Sequence, residues 1–197
     1  MKIILAVDSF KGSLTSMEII EILAGAAERT LAPRQIIKLP MADGGEGTVD
    51  ALVTAAGGEY RTVAAHDALG RPVTAAYGVI NSDTAVLEMA SVAGLAQLGS
   101  ERDPLRASSR SLGELMAAVM DLGYRKMLIG IGGSATNDGG MGMLAALGAR
   151  FYDGDTLLSG RGEDLTRVIR ADISGLDKRL SETDITVICD VTNPLLG

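Results

Sequence analysis

The stretch "KIILAVDSFKGSLTSMEIIEILAGAAERTLAPRQIIKLP" (2–40) decides the fold class. It opens with a short apolar run at 2–7 that is typical of a buried strand, and helical periodicity follows at 16–31. A second strand-like run lies at 35–41, and a second helical pattern lies at 47–56. Strand, helix, strand and helix in this order are the signature of a parallel sheet.

The middle of the chain, residues 59–90, has a different pattern. Three strand-like pieces are separated by turn sequences, which predicts an antiparallel or mixed meander that begins an inserted domain. The α/β rhythm then returns, with a helix at 111–123 and a strand at 125–131. Ser111 and Glu114 are predicted to form a capping box at the start of that helix.

The composition limits the class of protein. The 197 residues suffice for one ordinary domain, or for two small ones that share a core. A net charge of −7 without a basic patch argues against a nucleic-acid partner, and no apolar run is long enough to cross a membrane. A single cysteine excludes an internal disulfide and fits a reducing cytoplasm, and one cysteine with one histidine argues against a structural zinc site.

Aspartates follow several predicted strands. Asp8, Asp43 and Asp190 end strand-like runs, and Asp138 lies in a glycine-rich loop after the strand at 125–131. If these strands are parallel, the four carboxylates gather at one sheet edge, where ligands bind in such folds. Crowded carboxylates need a cation, and Mg²⁺ suits them because it takes oxygen ligands from carboxylates and phosphates. The alternative is that each aspartate caps a helix or makes an Asx turn.

The glycine-rich loop is "GIGGSATNDGG" (130–140). Glycines let the backbone approach a ligand, and successive N–H groups before a helix form an anion site. A phosphate held there beside Asp138 describes a phosphoryl-transfer site, and Lys11 is placed to neutralise a phosphate or a substrate carboxylate. The alternatives are a tight turn without a ligand and a solvated loop lysine.

A rival interpretation comes from the same loop. Residues 130–135 fit G-x-G-x-x-A after a strand, and Asp153 lies about 20 residues further on, as in a dinucleotide fingerprint. This favours an NAD(P)-binding oxidoreductase domain. The fingerprint should open directly into a helix, whereas the poor helix formers at 137–140 intervene.

Four segments resemble the bacterial glycerate kinase family, of the glycerate 2-kinase type. They are "AVDSFKGSLTSMEI", "PMADGGEGTVDAL", "GIGGSATNDGGMGMLAALGARF" and "CDVTNPLLG". The resemblance implies a cytoplasmic enzyme that uses ATP and Mg²⁺ to phosphorylate D-glycerate, and it favours 2-phosphoglycerate as the product. It leaves assembly into a homo-oligomer open.

The resemblance also implies an architecture of two α/β domains. A Rossmann-like parallel-sheet domain would contain an inserted second α/β domain with a mixed sheet, and the active site would lie between them. Residues 1–58 would form the first part of the Rossmann-like domain, 59–183 the inserted domain with the meander and the glycine loop, and 184–197 the return strand of the first domain.

The family's motifs carry over onto matching positions of this chain. They imply substrate contacts from Asp8, Gly44, Gly45, Glu46 and Asn193. They imply ATP phosphate contacts from Gly132, Gly133, Ser134, Ala135, Thr136 and Asn137. On the chemistry of the side chains, Asp138 would bind the metal, Lys11 would act as a charge clamp, and Asp43 or Asp190 would be the general base.

Family members continue beyond the segment that "CDVTNPLLG" resembles. The chain is therefore expected to be the N-terminal part of the enzyme and a poor catalyst by itself. A non-catalytic fragment that only binds small anions is the second alternative function.

Overall fold

The computed structural model describes residues 1–194. The chain opens with the predicted alternation of strands and helices. These are β1 (Lys2–Val7), α1 (Ser16–Leu31), β2 (Gln35–Pro40) and α2 (Thr48–Ala56). Helix α1 begins with a capping box, in which the Thr15 side chain accepts from the Glu18 amide and the Glu18 carboxylate accepts from the Thr15 amide.

The middle of the chain forms the predicted meander and then returns to α/β order. The elements are β3 (Glu59–His66), β4 (Pro72–Ile80), β5 (Thr84–Glu88), α3 (Ala90–Ala93), α4 (Leu95–Leu98), α5 (Arg110–Asp121), β6 (Lys126–Gly130) and α6 (Met141–Ala146). The remaining elements are β7 (Arg150–Asp153), β8 (Thr156–Leu157), β9 (Arg170–Asp172) and β10 (Asp184–Ile188), with 3₁₀ helices at Gly162–Arg167 and Lys178–Glu182.

Within residues 1–194 the strands form three sheets. β1 and β2 pair in parallel, and β8, β7 and β9 form a small antiparallel sheet. The largest sheet has the order β10-β6-β5-β4-β3, in which β3, β4 and β5 are antiparallel neighbours and β5, β6 and β10 are parallel. The prediction of an α/β fold with parallel and mixed sheets is confirmed.

The segment 184–197 is predicted as the return strand of the first domain, and its strand β10 lies in the five-stranded sheet. β10 pairs with β6, with Asp184 opposite Lys126 and Ile188 opposite Gly130. The edge of β6 that faces away from β5 offers a parallel partner for this short β-branched run. The proposed domain division stays a prediction, and residues 195–197 of its last segment lie outside the described residues.

The core lies on both faces of the five-stranded sheet. On one face α5 packs against the sheet through residues such as Leu115 and Val119, which meet Tyr77 and Leu87 of the strands. On the other face α2 contributes its apolar side to a second cluster with strands β4 and β5. Both helices therefore hold the sheet in a three-layer arrangement, and the strand ends stay open at one edge.

The predicted capping box at the start of α5 is wrong. The helix begins at Arg110 with Ser109 as its N-cap residue, and Ser111 lies buried inside the first turn. The reason is that a distant carboxylate, that of Asp138, accepts from the Ser109 amide at 2.7 Å. That contact satisfies the helix start, so a Ser111–Glu114 box is not needed.

Candidate active site

Lys11 and Asp43 meet at the carboxyl ends of β1 and β2. Lys11 Nζ lies 3.3 Å from Asp43 Oδ2, and the side chains are 80% and 32% exposed. The other oxygen of Asp43 accepts from the Gly45 amide at 3.0 Å. The pKa of Asp43 is lowered, mainly by the hydrogen bond from the Gly45 amide and to a smaller extent by Lys11.

Asp8 and Asp190 join this pair. The hydrogen bond and charge of Asp43 raise the pKa of Lys11, and the charges of Asp8 and Asp190 raise it further. The ends of β1, β2 and β10 therefore bring three of the four predicted aspartates around one exposed lysine. The functional roles of these four residues stay predictions.

Backbone contacts join the loop after β2 to the ends of β6 and β10. The Gly132 amide donates to the Gly44 carbonyl at 2.9 Å. A Cβ on Gly132 would lie 2.7 Å from Gly45 Cα, and one on Gly44 would lie 2.4 Å from the Ile188 carbonyl oxygen. Only glycine lets the three chain segments approach this closely, so these glycines are required by packing, with or without a ligand.

The remainder of the glycine loop is already engaged with the protein. The Ala135 amide donates to the Ala93 carbonyl, and Leu95 donates to the Gly133 carbonyl at 2.9 Å. Ser134 Oγ accepts from the Thr136 amide at 3.1 Å. The loop thus uses several of the N–H groups that a phosphate cradle would offer. Of the other predicted contacts, Glu46, Asn137 and Asn193 are exposed.

Asp138 is separate from the Lys11 cluster. It is 1% exposed, and its Oδ2 accepts from the Ser109 amide, the Ser109 hydroxyl and the Gly142 amide at 2.7, 2.8 and 3.2 Å. Its Oδ1 accepts from the Gly140 amide at 3.1 Å. The carboxylate therefore occupies the N-termini of both α5 and α6, and the second of these is the anion site that the sequence predicted for a phosphate.

These hydrogen bonds give the predicted metal role of Asp138 no support. A carboxylate that accepts from four donors in a buried site has little lone-pair capacity left for a cation. Among residues 1–194, no group of three or more His, Cys, Asp or Glu side chains lies close enough together to hold a metal ion. The exposed carboxylates at the Lys11 edge fit Mg²⁺ better, since Mg²⁺ takes one or two carboxylates and completes its shell with phosphates and water.

Sequence reasoning missed Glu88, which ends β5 of the five-stranded sheet. Glu88 is 7% exposed and accepts hydrogen bonds from the Val49 and Gly47 amides at the start of α2. Burial raises the pKa of Glu88 to about 7, and the nearby carboxylates of Asp50 and Glu46 act in the same direction. Its signal was a glutamate closing the apolar run "TAVLE", in the position that Asp8 and Asp43 hold after their strands.

A cavity of about 440 Å³ connects Glu88 to the Lys11 edge. Lys11, Glu46, Asp50 and Glu88 line it, and Tyr60 adds an aromatic wall. The volume suits a small metabolite. The cavity therefore places an exposed cation and a carboxylate whose pKa is raised to about 7 around the same space.

The dinucleotide interpretation is not supported by this loop. After β6 the chain crosses the ends of neighbouring strands, and α6 begins only at Met141 with Gly140 as its N-cap residue. A dinucleotide fingerprint requires its glycines to open straight into the helix.

None of the helices formed by residues 1–194 combines the length and apolar character needed to cross a membrane.

Comparison with known proteins gives a consistent result. The sequence profile described as "Glycerate kinase family" matches residues 3–197. The chain is 45% identical to a glycerate kinase from Bacillus subtilis (strain 168) and 44% identical to a glycerate 2-kinase from Escherichia coli (strain K12), over 100% of this chain and 52% of each relative.

A solved structure agrees with the sequence relatives. The crystal structure of a candidate glycerate kinase 2 from Salmonella typhimurium LT2 superposes with a TM-score of 0.82 and 45% sequence identity. The superposition covers 99% of this chain and 54% of that one. The chain therefore spans about half the length of the relatives that it matches.

Proposed function

The chain belongs to the glycerate kinase family, and from that premise we propose that it contributes the acceptor site for ATP-dependent phosphorylation of D-glycerate. The proposal rests on one observation, the ion pair of Lys11 with Asp43 at an edge that also holds Asp8 and Asp190. The name of the Escherichia coli relative, glycerate 2-kinase, supports the 2-hydroxyl as the acceptor and 2-phosphoglycerate as the product.

Glycerate is a small hydroxy acid with one carboxylate. Lys11 Nζ is exposed and paired with a single carboxylate oxygen, so it is available to a substrate carboxylate. A charge-assisted contact of this kind orients the hydroxyl groups toward the acids at the strand ends. Gly44, Gly45 and Glu46 would form the wall beside the substrate, and Asn193 would approach from the segment after β10.

In the reaction, the glycerate hydroxyl oxygen forms a bond to the γ-phosphorus of ATP while the bond from that phosphorus to the β,γ-bridging oxygen breaks. The hydroxyl proton passes to a carboxylate, and ADP leaves with the bridging oxygen. Such transfers depend mainly on position and charge neutralisation. Residues Gly132 to Asn137 would border the phosphates, and Asp8 would help to hold Mg²⁺, which would supply positive charge to the phosphates.

The geometry ranks the candidates for the general base. Both oxygens of Asp43 are engaged and its pKa is lowered, which makes it a weak proton acceptor. Asp190 stays the other predicted base. Glu88 is a further candidate, because it lines the cavity beside Lys11 and its pKa of about 7 suits proton transfer near neutral pH.

Titration of the 197-residue chain with D-glycerate tests the acceptor site. Lys11→Met is expected to weaken glycerate binding by about tenfold or more, the scale of one charge-assisted contact. Lys38→Met is the matched control, since Lys38 is also an exposed lysine, paired with Glu21 at 2.6 Å. Equal glycerate binding by the Lys11→Met variant, or no glycerate binding by the unmodified chain, would contradict an acceptor site at this edge.

Product analysis tests the reaction itself. Incubation with ATP, Mg²⁺ and D-glycerate should give slow, glycerate-dependent ADP formation, and ³¹P NMR should show phosphate on the 2-hydroxyl. Phosphate on the 3-hydroxyl would contradict the proposed product. The pH profiles of Asp190→Asn and Glu88→Gln then separate the two bases, because only loss of the true base removes the rise of rate with pH.

A further inference from the structure

A second cavity lies away from the Lys11 edge, between the start of α5 and the small sheet. Its volume is about 700 Å³, within the range of nucleotide-sized sites. Four arginines line it: Arg106, Arg110, Arg150 and Arg161. They come from the loop before α5, from α5, from β7 and from the segment before the first 3₁₀ helix, so the fold gathers them from distant parts of the chain.

The charge of this wall is opposite to that of the whole chain, which is −7. Among residues 1–194, Arg106 and Arg150 have no carboxylate within ion-pair distance. Two carboxylates in the wall are already paired, since Asp67 binds Arg71 at 2.5 Å and Glu114 accepts from Arg110 at 3.1 Å. The wall therefore carries an excess of positive charge.

Glu114 also contacts the only histidine of the chain. His66 Nδ1 lies 2.8 Å from Glu114 Oε2, and His66 lines the same cavity. Ser111 lines it as well, and its buried Oγ has no hydrogen-bond partner among residues 1–194. An unpaired buried hydroxyl is uncommon, and a ligand oxygen at this wall would supply the missing partner.

Hydrogen bonds fix the two sides of the cavity relative to each other. Ser108 Oγ donates to the Gly160 carbonyl at 2.5 Å and so joins the loop before α5 to the segment that carries Arg161. Asp164 accepts from the amides of Ser159, Gly160 and Arg161 and holds that segment in place. The arginines thus extend from a rigid backbone, which favours a specific site over a loose charged surface.

We infer that the arginine-lined cavity binds the polyphosphate group of a small phosphorylated molecule of nucleotide size. Guanidinium groups match phosphate oxygens through paired N–H donors, and several arginines around one volume suit more than one phosphate. None of the residues of the Lys11 edge lines this cavity. The inference therefore does not rest on the proposed acceptor site.

Isothermal titration of the chain with sodium tripolyphosphate, without Mg²⁺, tests the site. The Arg106→Gln/Arg150→Gln double variant is expected to bind tripolyphosphate about tenfold more weakly or worse, because it loses two guanidinium groups. The matched control is Arg29→Gln/Arg34→Gln, which removes the same charge from two exposed arginines elsewhere. The control and Lys11→Met should both bind as the unmodified chain does.

Two further titrations complete the test. ATP should compete with tripolyphosphate at the arginine-lined cavity, and inorganic phosphate should bind there far more weakly, because it fills only part of the wall. Ser111→Ala should keep the thermal midpoint of the free chain and weaken tripolyphosphate binding. The inference is overturned by the absence of tripolyphosphate binding, by equal loss in the control variant, or by loss in Lys11→Met, which would move the anion to the other edge.

Discussion

The chain contains two loops with nearly the same sequence, "DGGEG" at 43–47 and "DGGMG" at 138–142, and they do opposite things. In both, the first oxygen of the aspartate accepts from the amide two residues on, at 3.0 Å for Asp43 and 3.1 Å for Asp138. The second oxygen of Asp43 meets an exposed lysine, whereas that of Asp138 meets two helix N-termini in the interior. The same local turn is therefore exposed in the first loop, whereas in the second, which we call the sealed loop, its aspartate is buried between two helix N-termini.

Glu88 explains how the two loops diverge. Helix α6 is capped by the aspartate of its own loop, through the Gly140 and Gly142 amides. Helix α2 instead donates to Glu88, which arrives from strand β5. Since Glu88 satisfies the start of α2, Asp43 is released from capping and its second oxygen can face Lys11. A third residue, distant in sequence, thus decides which of the two aspartates is free to pair with an exposed lysine.

The largest expected difference concerns the fifth position of each loop. Gly142→Ala should lower the free energy of unfolding by about 3 kcal/mol or more, because its Cβ would lie 2.0 Å from Ser108 Oγ and 2.8 Å from Asp138 Oδ2. Gly47→Ala has open space around its Cβ and costs only the strain of a φ of +93°, about 1 kcal/mol. Urea denaturation of both variants measures the difference, and similar costs would mean that the second loop is not sealed.

The aspartates themselves should differ next. Asp138→Asn places an amide against N–H donors in the interior and should cost about 2–3 kcal/mol of stability. Asp43→Asn weakens one partly exposed ion pair and should cost less than about 1 kcal/mol. In the titration with D-glycerate the order should reverse, with the larger loss of binding in Asp43→Asn. A matching loss of stability in both variants would show that Asp43 also has a structural role.

A pH series tests the cap that Glu88 supplies to α2. The pKa of Glu88 is raised above its ordinary value of 4.5 to about 7, so the folded state favours the protonated form. Its contribution to stability is full below pH 4.5 and is lost as the pH rises through 7. Between pH 5 and 8 the unmodified chain should lose roughly 2 kcal/mol relative to Glu88→Gln, which stays neutral.

Chemical denaturation at the two pH values gives that comparison. Asp50 and Glu46, the charged groups nearest to Glu88, are kept in both proteins. A constant difference between the chain and Glu88→Gln across the range would show that Glu88 is ionised throughout. Such a result would contradict the pH dependence expected of the α2 cap.

The smallest effect concerns the titration of Asp43. Its pKa lies below the ordinary 3.8, with the Gly45 amide as the larger favourable contact and Lys11 as the smaller one. The stability that this carboxylate contributes is present above its unfolded pKa and is lost as the pH falls through the folded value. In Lys11→Met the pKa of Asp43, followed by ¹³C NMR, should rise only part of the way, and a full return to 3.8 would contradict the role of the turn.

The parts that could be predicted from sequence depend on short-range patterns. Asp8 and Asp43 follow β1 and β2, and the parallel pairing of these strands places both aspartates at one sheet edge. Asp190 follows β10, which pairs with β6 in another sheet, so parallel pairing alone did not predict its place near Lys11. Asp138 looked equivalent in sequence, but its partners Ser108 and Ser109 come from another part of the chain. No local sequence pattern predicts that contact. Glu88 was missed for a related reason, since a glutamate that closes an apolar strand signals nothing until the start of α2 is placed against it.

The hydrogen bond from the Gly132 amide to the Gly44 carbonyl joins two segments that are synthesised at different times. The segment after β2 leaves a ribosome well before β6 exists, so the loop at 43–47 must wait for the partner that fixes it. Contacts of such sequence separation slow folding, because the chain between them must be closed first. Of these residues Asp190 is synthesised latest, after β10, so the acidic edge is complete only once β10 has been made.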